Sequence, residues 1–179
     1  MLHRADGIAI CEGTGEVFLS SEWDGMVRVC DLATGRWFRR TFGRQADPVS
    51  GQPIGSSVFS RSVEGLAILG DYLLAVDEGS DIPDPTRPGR LLVFQLRDPA
   101  MPKSDAEPSR ARGVPGRLPT PIGWMGTFQS PDGVAAFPGS AERPEPLVAV
   151  ADQGNYRVIV YRGSELLREA LAVLPKATP

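Results

Sequence analysis

An acid, a glycine, an aliphatic residue and an alanine follow one another three times along this chain: Asp6-Gly7-Ile8-Ala9, Glu64-Gly65-Leu66-Ala67 and Asp132-Gly133-Val134-Ala135. Each copy leads to an apolar segment that ends at an acid, namely Val17 to Glu22, Tyr72 to Asp77 and Leu147 to Asp152. A third segment then follows in each: Met26 to Leu32, Arg90 to Leu96 and Tyr156 to Arg162. A unit repeated at tens of residues cannot bury both of its faces alone, so the copies must stack on one another. The repeat therefore constrains the architecture before any single residue is weighed. It also sets acids at matching points of three similar units.

Local patterning gives each unit the form of an antiparallel sheet. In the first, Gly7 to Glu12 and Glu16 to Glu22 flank the tight turn Gly13-Thr14-Gly15, and Asp24-Gly25 marks a hairpin. Met26 to Asp31 alternates apolar and polar residues, as a half-buried strand does. Arg36 to Phe42 supplies an outer strand. Four strands joined by short turns make one propeller blade. The expected fold is all-β: three β-propeller blades of four antiparallel strands, forming part of a ring. Their bounds are about 5–44, 61–129 and 131–174. The second blade carries two proline-bearing loops, 78–89 and 98–120, because proline blocks ladder pairing. Its outer strand falls near Ile122 to Gln129. The tail from Ser164 to Leu174 fits an amphipathic helix with Ser164 as N-cap, and equally the outer strand that the blade plan requires; the plan favours strand.

The copies are 58 residues apart from Asp6 to Glu64 and 68 apart from Glu64 to Asp132. WD40 blades recur at roughly 40–45 residues, and Trp23-Asp24 does not close a blade, so that family is disfavoured. Propellers have about four to eight blades. A half-ring would expose an apolar sheet face at each end. Two copies closing one ring, or a longer chain supplying more blades, would each answer this.

The formal net charge of −3 disfavours a nonspecific grip on nucleic acid or anionic lipid, and no apolar run is long enough to cross a bilayer. Residues 1–5 contain no apolar leader, which fits either a cytosolic chain or one lacking its natural N-terminus. Cys11 and Cys30 would end strands one and three of one sheet, about 9–10 Å apart with a strand between them. A disulfide needs Cα atoms within about 7 Å, so two buried free thiols are expected.

The phrase Asp132-Gly133-Val134-Ala135, a proline-bearing turn, Leu147 to Asp152 with Gln153-Gly154-Asn155, and a strand ending Val160-Tyr161-Arg162 resembles the alkaline β-propeller phytases. Glu64-Gly65-Leu66 and Asp6-Gly7-Ile8 are similar to that family's other blade openings. The resemblance covers about three of six blades, and its repeat phrase is shared in part with NHL-repeat rings and gluconolactonase-like lactonases. It implies calcium as cofactor and hydrolysis of phytate or a similar phosphorylated small molecule, in proteins that are usually secreted or periplasmic. Carried over by motif, the metal ligands would be Asp6, Glu22, Glu64, Asp77, Glu78, Asp132 and Asp152. Gln153 and Asn155 would meet substrate, with Arg28, Arg90 and Arg157 as candidate phosphate partners. The lysines and further acids that grip substrate in that family lie in blades this sequence does not contain. No catalytic residue is assigned.

Other readings of the same residues stand beside these. An acid before glycine also shapes a turn by accepting backbone hydrogen bonds. The dense acids Asp77, Glu78, Asp81 and Asp84 also read as a solvated loop, without the glycine or terminal glutamate of an EF-hand. Trp23, Trp37 and Trp124 read as packing between blades. The sole histidine, His3, is terminal, and the serines lack a histidine-acid pair to activate them. A non-catalytic NHL-like module binding protein or glycan is the alternative from another class. A lactonase-like hydrolase is a third, for which Asn155 is the only asparagine present.

Overall fold

The computed structural model describes residues 4–47, 49–50, 52–55, 57–59, 62–79, 88–96 and 123–173. His3, Asp81, Asp84, the loop 98–120 and residue 174 lie outside them. Three antiparallel sheets follow one another along the chain. The first holds β1 (Ala5–Cys11), β2 (Glu16–Ser21), β3 (Met26–Asp31) and β4 (Trp37–Phe42), in that spatial order. A two-stranded ribbon of β5 (Gln45–Ala46) and β6 (Pro53–Ile54) comes next, a feature absent from the sequence reading. Asp47 closes it by accepting hydrogen bonds from the amides of Val49 and Ser50. The second sheet runs β7 (Val63–Leu69), β8 (Tyr72–Asp77), β9 (Gly89–Gln95) and β10 (Gly123–Phe128). The third has β11 (Pro131–Phe137), β12 (Leu147–Asp152) and β13 (Arg157–Arg162). The fold is thus mostly β, built of blade-like sheets, none of which closes on itself.

The third sheet has three strands where four were expected. Its tail is α1 (Gly163–Val173), an α-helix and not the outer strand the repeat plan favoured. The physical reason lies in the helical spacing of Leu166, Leu167 and Ala170, which gives the segment one apolar face. Glu145 accepts from both the amide and the hydroxyl of Ser164 in the first turn, which satisfies an amide the helix leaves free. The helix folds back over the second sheet, where Gly123 leaves room for the Ala170 backbone: a Cβ there would lie 2.6 Å from the Ala170 carbonyl oxygen. Leu166 is fully buried in the cluster between the second and third sheets. Leu166→Ala is expected to destabilise the chain by about 2–5 kcal/mol, read as a lower urea midpoint, whereas alanine at half-exposed Leu171 is expected to change little.

Two apolar layers join the sheets. Ala9, Phe18, Val27 and Val29 of the first sheet meet Leu66, Leu73, Leu92 and Phe94 of the second. Phe42 sits at the centre of that layer, edge-on to Phe18 at 5.6 Å and to Phe94 at 5.4 Å between ring centroids. The opposite face of the second sheet, with Leu74, Val76, Leu91 and Val93, meets Val148 and Val150 of the third. Cys11 and Cys30 are buried free thiols with β2 between their strands. Trp23 departs from expectation: it is 70 % exposed, with the Arg4 guanidinium 5.9 Å from its ring, and packs between no sheets. Trp124 does pack against the first layer.

The repeated acid-glycine phrase forms a β-bulge in every sheet. Ala5 pairs with Ser21 and Ile8 with Leu19, so three steps on β1 answer two on β2. Val63 to Leu66 repeats this against Asp77 to Ala75, and Pro131 to Gly133 does so against Asp152 to Ala151. The extra residue bends the strand and re-aims the side chain beside it. In the first copy, Ser20 braces the bulge: its hydroxyl oxygen accepts from the Gly7 amide at 2.5 Å.

Candidate functional site

The bulged strands β1, β7 and β11 lie side by side, and glycine is what lets them approach. A Cβ on Gly7 would lie 2.3 Å from the Glu64 carbonyl oxygen. One on Gly65 would lie 3.0 Å from the Asp132 carbonyl oxygen and 2.7 Å from the Val134 amide nitrogen. Backbone contact this close brings the preceding acids together. One carboxylate oxygen from each of Asp6, Glu64 and Asp132 lies within 4.8 Å of the others. Asp6 and Asp132 are exposed, while Glu64 is buried between them.

Burial pushes the Glu64 carboxyl up to about 8; its hydrogen bond to Asp6 and the negative charges of Asp6 and Glu78 act in the same direction. The Ser62 hydroxyl, 2.7 Å from Glu64 Oε1, opposes that rise. It also lies 2.5 Å from Glu78 Oε2. Ser62 is buried, and it ties Glu78 to the trio at one remove. The sequence reading passed over Ser62, although a serine stands two residues before the acid in two of the three copies, Ser62 and Ser130.

The acids at the ends of the second strands do something else. Asp77 is fully buried and paired with Arg90, whose Nε lies 3.0 Å away. Asp152 is fully buried and accepts from the Gln129 amide at 2.7 Å, Asn155 Nδ2 at 2.9 Å and Arg157 Nε at 2.7 Å. Burial alone would raise the Asp152 carboxyl; the three donors outweigh it and hold it below the usual carboxylate range. Glu22 pairs with Arg4 at 2.7 Å. The register also corrects the alignment of these acids. Ala5 pairs with Ser21, Val63 with Asp77 and Pro131 with Asp152, so Ser21 is the counterpart of Asp77 and Asp152. Glu22 answers to Glu78: their amides bond the carbonyls of Arg4 and Ser62 in the same way.

Of the residues placed near a substrate, Asn155 bonds Asp152, and Gln153 offers its carbonyl to the Tyr156 amide in a single 3-10 turn. Arg28 lies 3.5 Å from Asp24, which the sequence marks only as part of a hairpin turn; Asp24 is buried and accepts from Ser21 at 2.7 Å. Arg28, Arg90 and Arg157 thus each stand against a carboxylate. The structure gathers three of the seven proposed metal ligands, sets Glu78 beside them through Ser62, and turns the others toward arginines.

No family model matches the chain, and no curated protein matches it. Among solved structures, it is similar to Hsv2 of Kluyvelomyces marxianus, with a TM-score of 0.45 and 12 % identity over 90 % of this chain. The chain spans 48 % of that protein's length.

Proposed function

We propose that this chain is half of a six-bladed, phytase-like β-propeller whose channel acids hold a calcium ion, and that the completed ring hydrolyses phosphate monoesters such as phytate. The observation that carries the reading is the convergence of Asp6, Glu64 and Asp132, from three separate sheets, to within 4.8 Å. Calcium–oxygen distances of about 2.3–2.6 Å put opposed ligand oxygens about 5 Å apart, so this spread fits around one ion. Calcium takes about six to eight oxygens, so three carboxylates leave places for water and phosphate oxygens. When bound, the ion supplies charge neutralisation to a phosphate and lowers the pKa of a coordinated water. The chain's own residues do the positioning. The bulges aim the three acids, Ser62 orients Glu64, and the Asp77–Arg90 and Asp152–Arg157 pairs join neighbouring strands beside the site.

The engagement of Arg28, Arg90 and Arg157 with carboxylates favours a second reading, a non-catalytic module that uses the ring face to bind a protein or glycan. Titration calorimetry with calcium, followed by phosphate release from phytate with and without chelator, tests both. Calcium binding that Asp132→Asn weakens at least tenfold is expected, with chelator-sensitive phosphate release. Binding without release would leave the non-catalytic module, and an absence of calcium binding would end the metal reading.

A further inference from the structure

The two outer faces of this three-sheet stack are the two halves of its own internal joint. Strand registers make the correspondence explicit. Ala9, Phe18 and Val29 align across the first sheet, Ala67, Leu74 and Val93 across the second, and Ala135, Ala149 and Val160 across the third. In the first two sheets this face is buried against the next sheet. In the third it meets nothing among the described residues: Val158 is 67 % exposed and Val160 61 %. The receiving face shows the converse. Leu66 and Leu73 of the second sheet, and Val134 and Val148 of the third, are packed against the sheet before them. Their counterparts in the first sheet are Ile8 and Val17: Val17 is buried, while Ile8 is 60 % exposed and Ile10 beside it 46 %.

The bulge glycines agree. Gly7 and Gly65 each abut the carbonyl of the next sheet's acid, whereas a Cβ on Gly133 would meet only the Ala151 Cβ at 3.7 Å. A third glycine is present where, among the described residues, no neighbouring strand requires it.

We propose that a second copy of this chain covers both faces, its first sheet packing on this chain's third and its third on this chain's first, around a two-fold axis along the channel. One occupant then satisfies two unlike faces at once through one kind of joint, already formed twice within the chain. Exposed aliphatic residues at both ends, Ile8 and Ile10 at one and Val158 and Val160 at the other, call for a partner. At the new joint Gly133 would sit against the carbonyl of the second copy's Asp6, as Gly65 does against that of Asp132. The channel would gather six opening acids in place of three, so the acid site is incomplete without the partner. The inference rests on the propeller reading of the fold but not on the cation, and its test is run without calcium so that the two fail separately.

Light scattering of the full chain behind gel filtration at tens of micromolar is expected to give twice the chain mass. Val160→Arg on one face, Ile10→Asp on the other and Gly133→Leu at the bulge are each expected to give the single-chain mass. Gly133→Leu should keep the far-ultraviolet circular dichroism of the unmodified chain, since its side chain enters open space. An unmodified chain of single mass would overturn the proposal, and other modules or another protein would then cover the faces. A dimer that survives Ile10→Asp would also overturn it, because two third sheets would then be packing on each other.

Discussion

Glutamine at position 64 is expected to stabilise the calcium-free chain above pH 8 and to abolish the pH dependence that the glutamate imposes. The direction follows from linkage. The folded Glu64 carboxyl titrates near 8, against an ordinary value of 4.5. Between those two values the folded chain keeps a proton that the unfolded chain has released. Stability is therefore fully present below about pH 4.5, falls as pH rises, and levels off above about 8. Each unit of difference corresponds to about 1.4 kcal/mol, and screening by water around the exposed Asp6 and Asp132 beside Glu64 reduces the total to on the order of 2–3 kcal/mol. Urea midpoints at pH 5, 7 and 9 should fall for the unmodified chain and stay level for Glu64→Gln. Added calcium should reverse the loss at pH 9 in the unmodified chain, because a cation converts the repulsion among Asp6, Glu64 and Asp132 into shared ligation, and should do little for Glu64→Gln. Parallel curves for the two chains would show that Glu64 is not held protonated by its neighbours.

The repeat made much of this architecture legible, for identifiable reasons. Acid-glycine phrases mark bulges, and a bulge with small residues beside it is a local event that sequence records directly: Gly7 and Gly65 must lack a Cβ wherever a neighbouring backbone comes that close. The convergence of Asp6, Glu64 and Asp132 followed from the same phrase. What failed was of two kinds. A one-residue error in matching Glu22 to Asp77 hid the fact that Ser21, Asp77 and Asp152 are equivalent, because strand ends in sequence are blurred by adjacent polar residues such as Ser20 and Ser21. The pairing of Asp77 with Arg90 and of Asp152 with Arg157 is set across a ladder. No local pattern announces whether an acid at a strand end pairs with an arginine or stands clear of one.

The tail failed differently. The blade plan outweighed a visible helical stripe, although Leu166, Leu167 and Ala170 bury against the joint of the second and third sheets. The ribbon at Gln45–Ala46 and Pro53–Ile54 left no signal beyond the Asp47 turn, two residues a side being too short to show alternation.

Gly65→Ala is expected to be strongly destabilising, because the added methyl group would meet the backbone of the next sheet. Its Cβ would stand 2.7 Å from the Val134 nitrogen, 2.9 Å from the Gly133 Cα and 3.0 Å from the Asp132 carbonyl oxygen. All three are backbone atoms of β11 and cannot rotate aside, so the joint between the second and third sheets must open. Overpacking of this kind costs about 3 kcal/mol, only partly offset by the roughly 0.4–1 kcal/mol gained when alanine restricts the unfolded chain. For a chain of this length about 1 kcal/mol moves the midpoint by about 2–4 °C, so a fall of about 5–10 °C is expected. Gly133→Ala is the control, because the same phrase in the third sheet has open space beside it. Measured in a Val160→Arg background, which is expected to keep the chain single, it should leave the melting temperature within about 2 °C. Equal losses at the two glycines would mean that the close approach of β7 and β11 does not set the demand for glycine. A large loss at Gly65 alone, with calcium affinity falling alongside it, would tie the packing of the sheets to the aim of Asp132, since the atom displaced is that residue's own carbonyl oxygen.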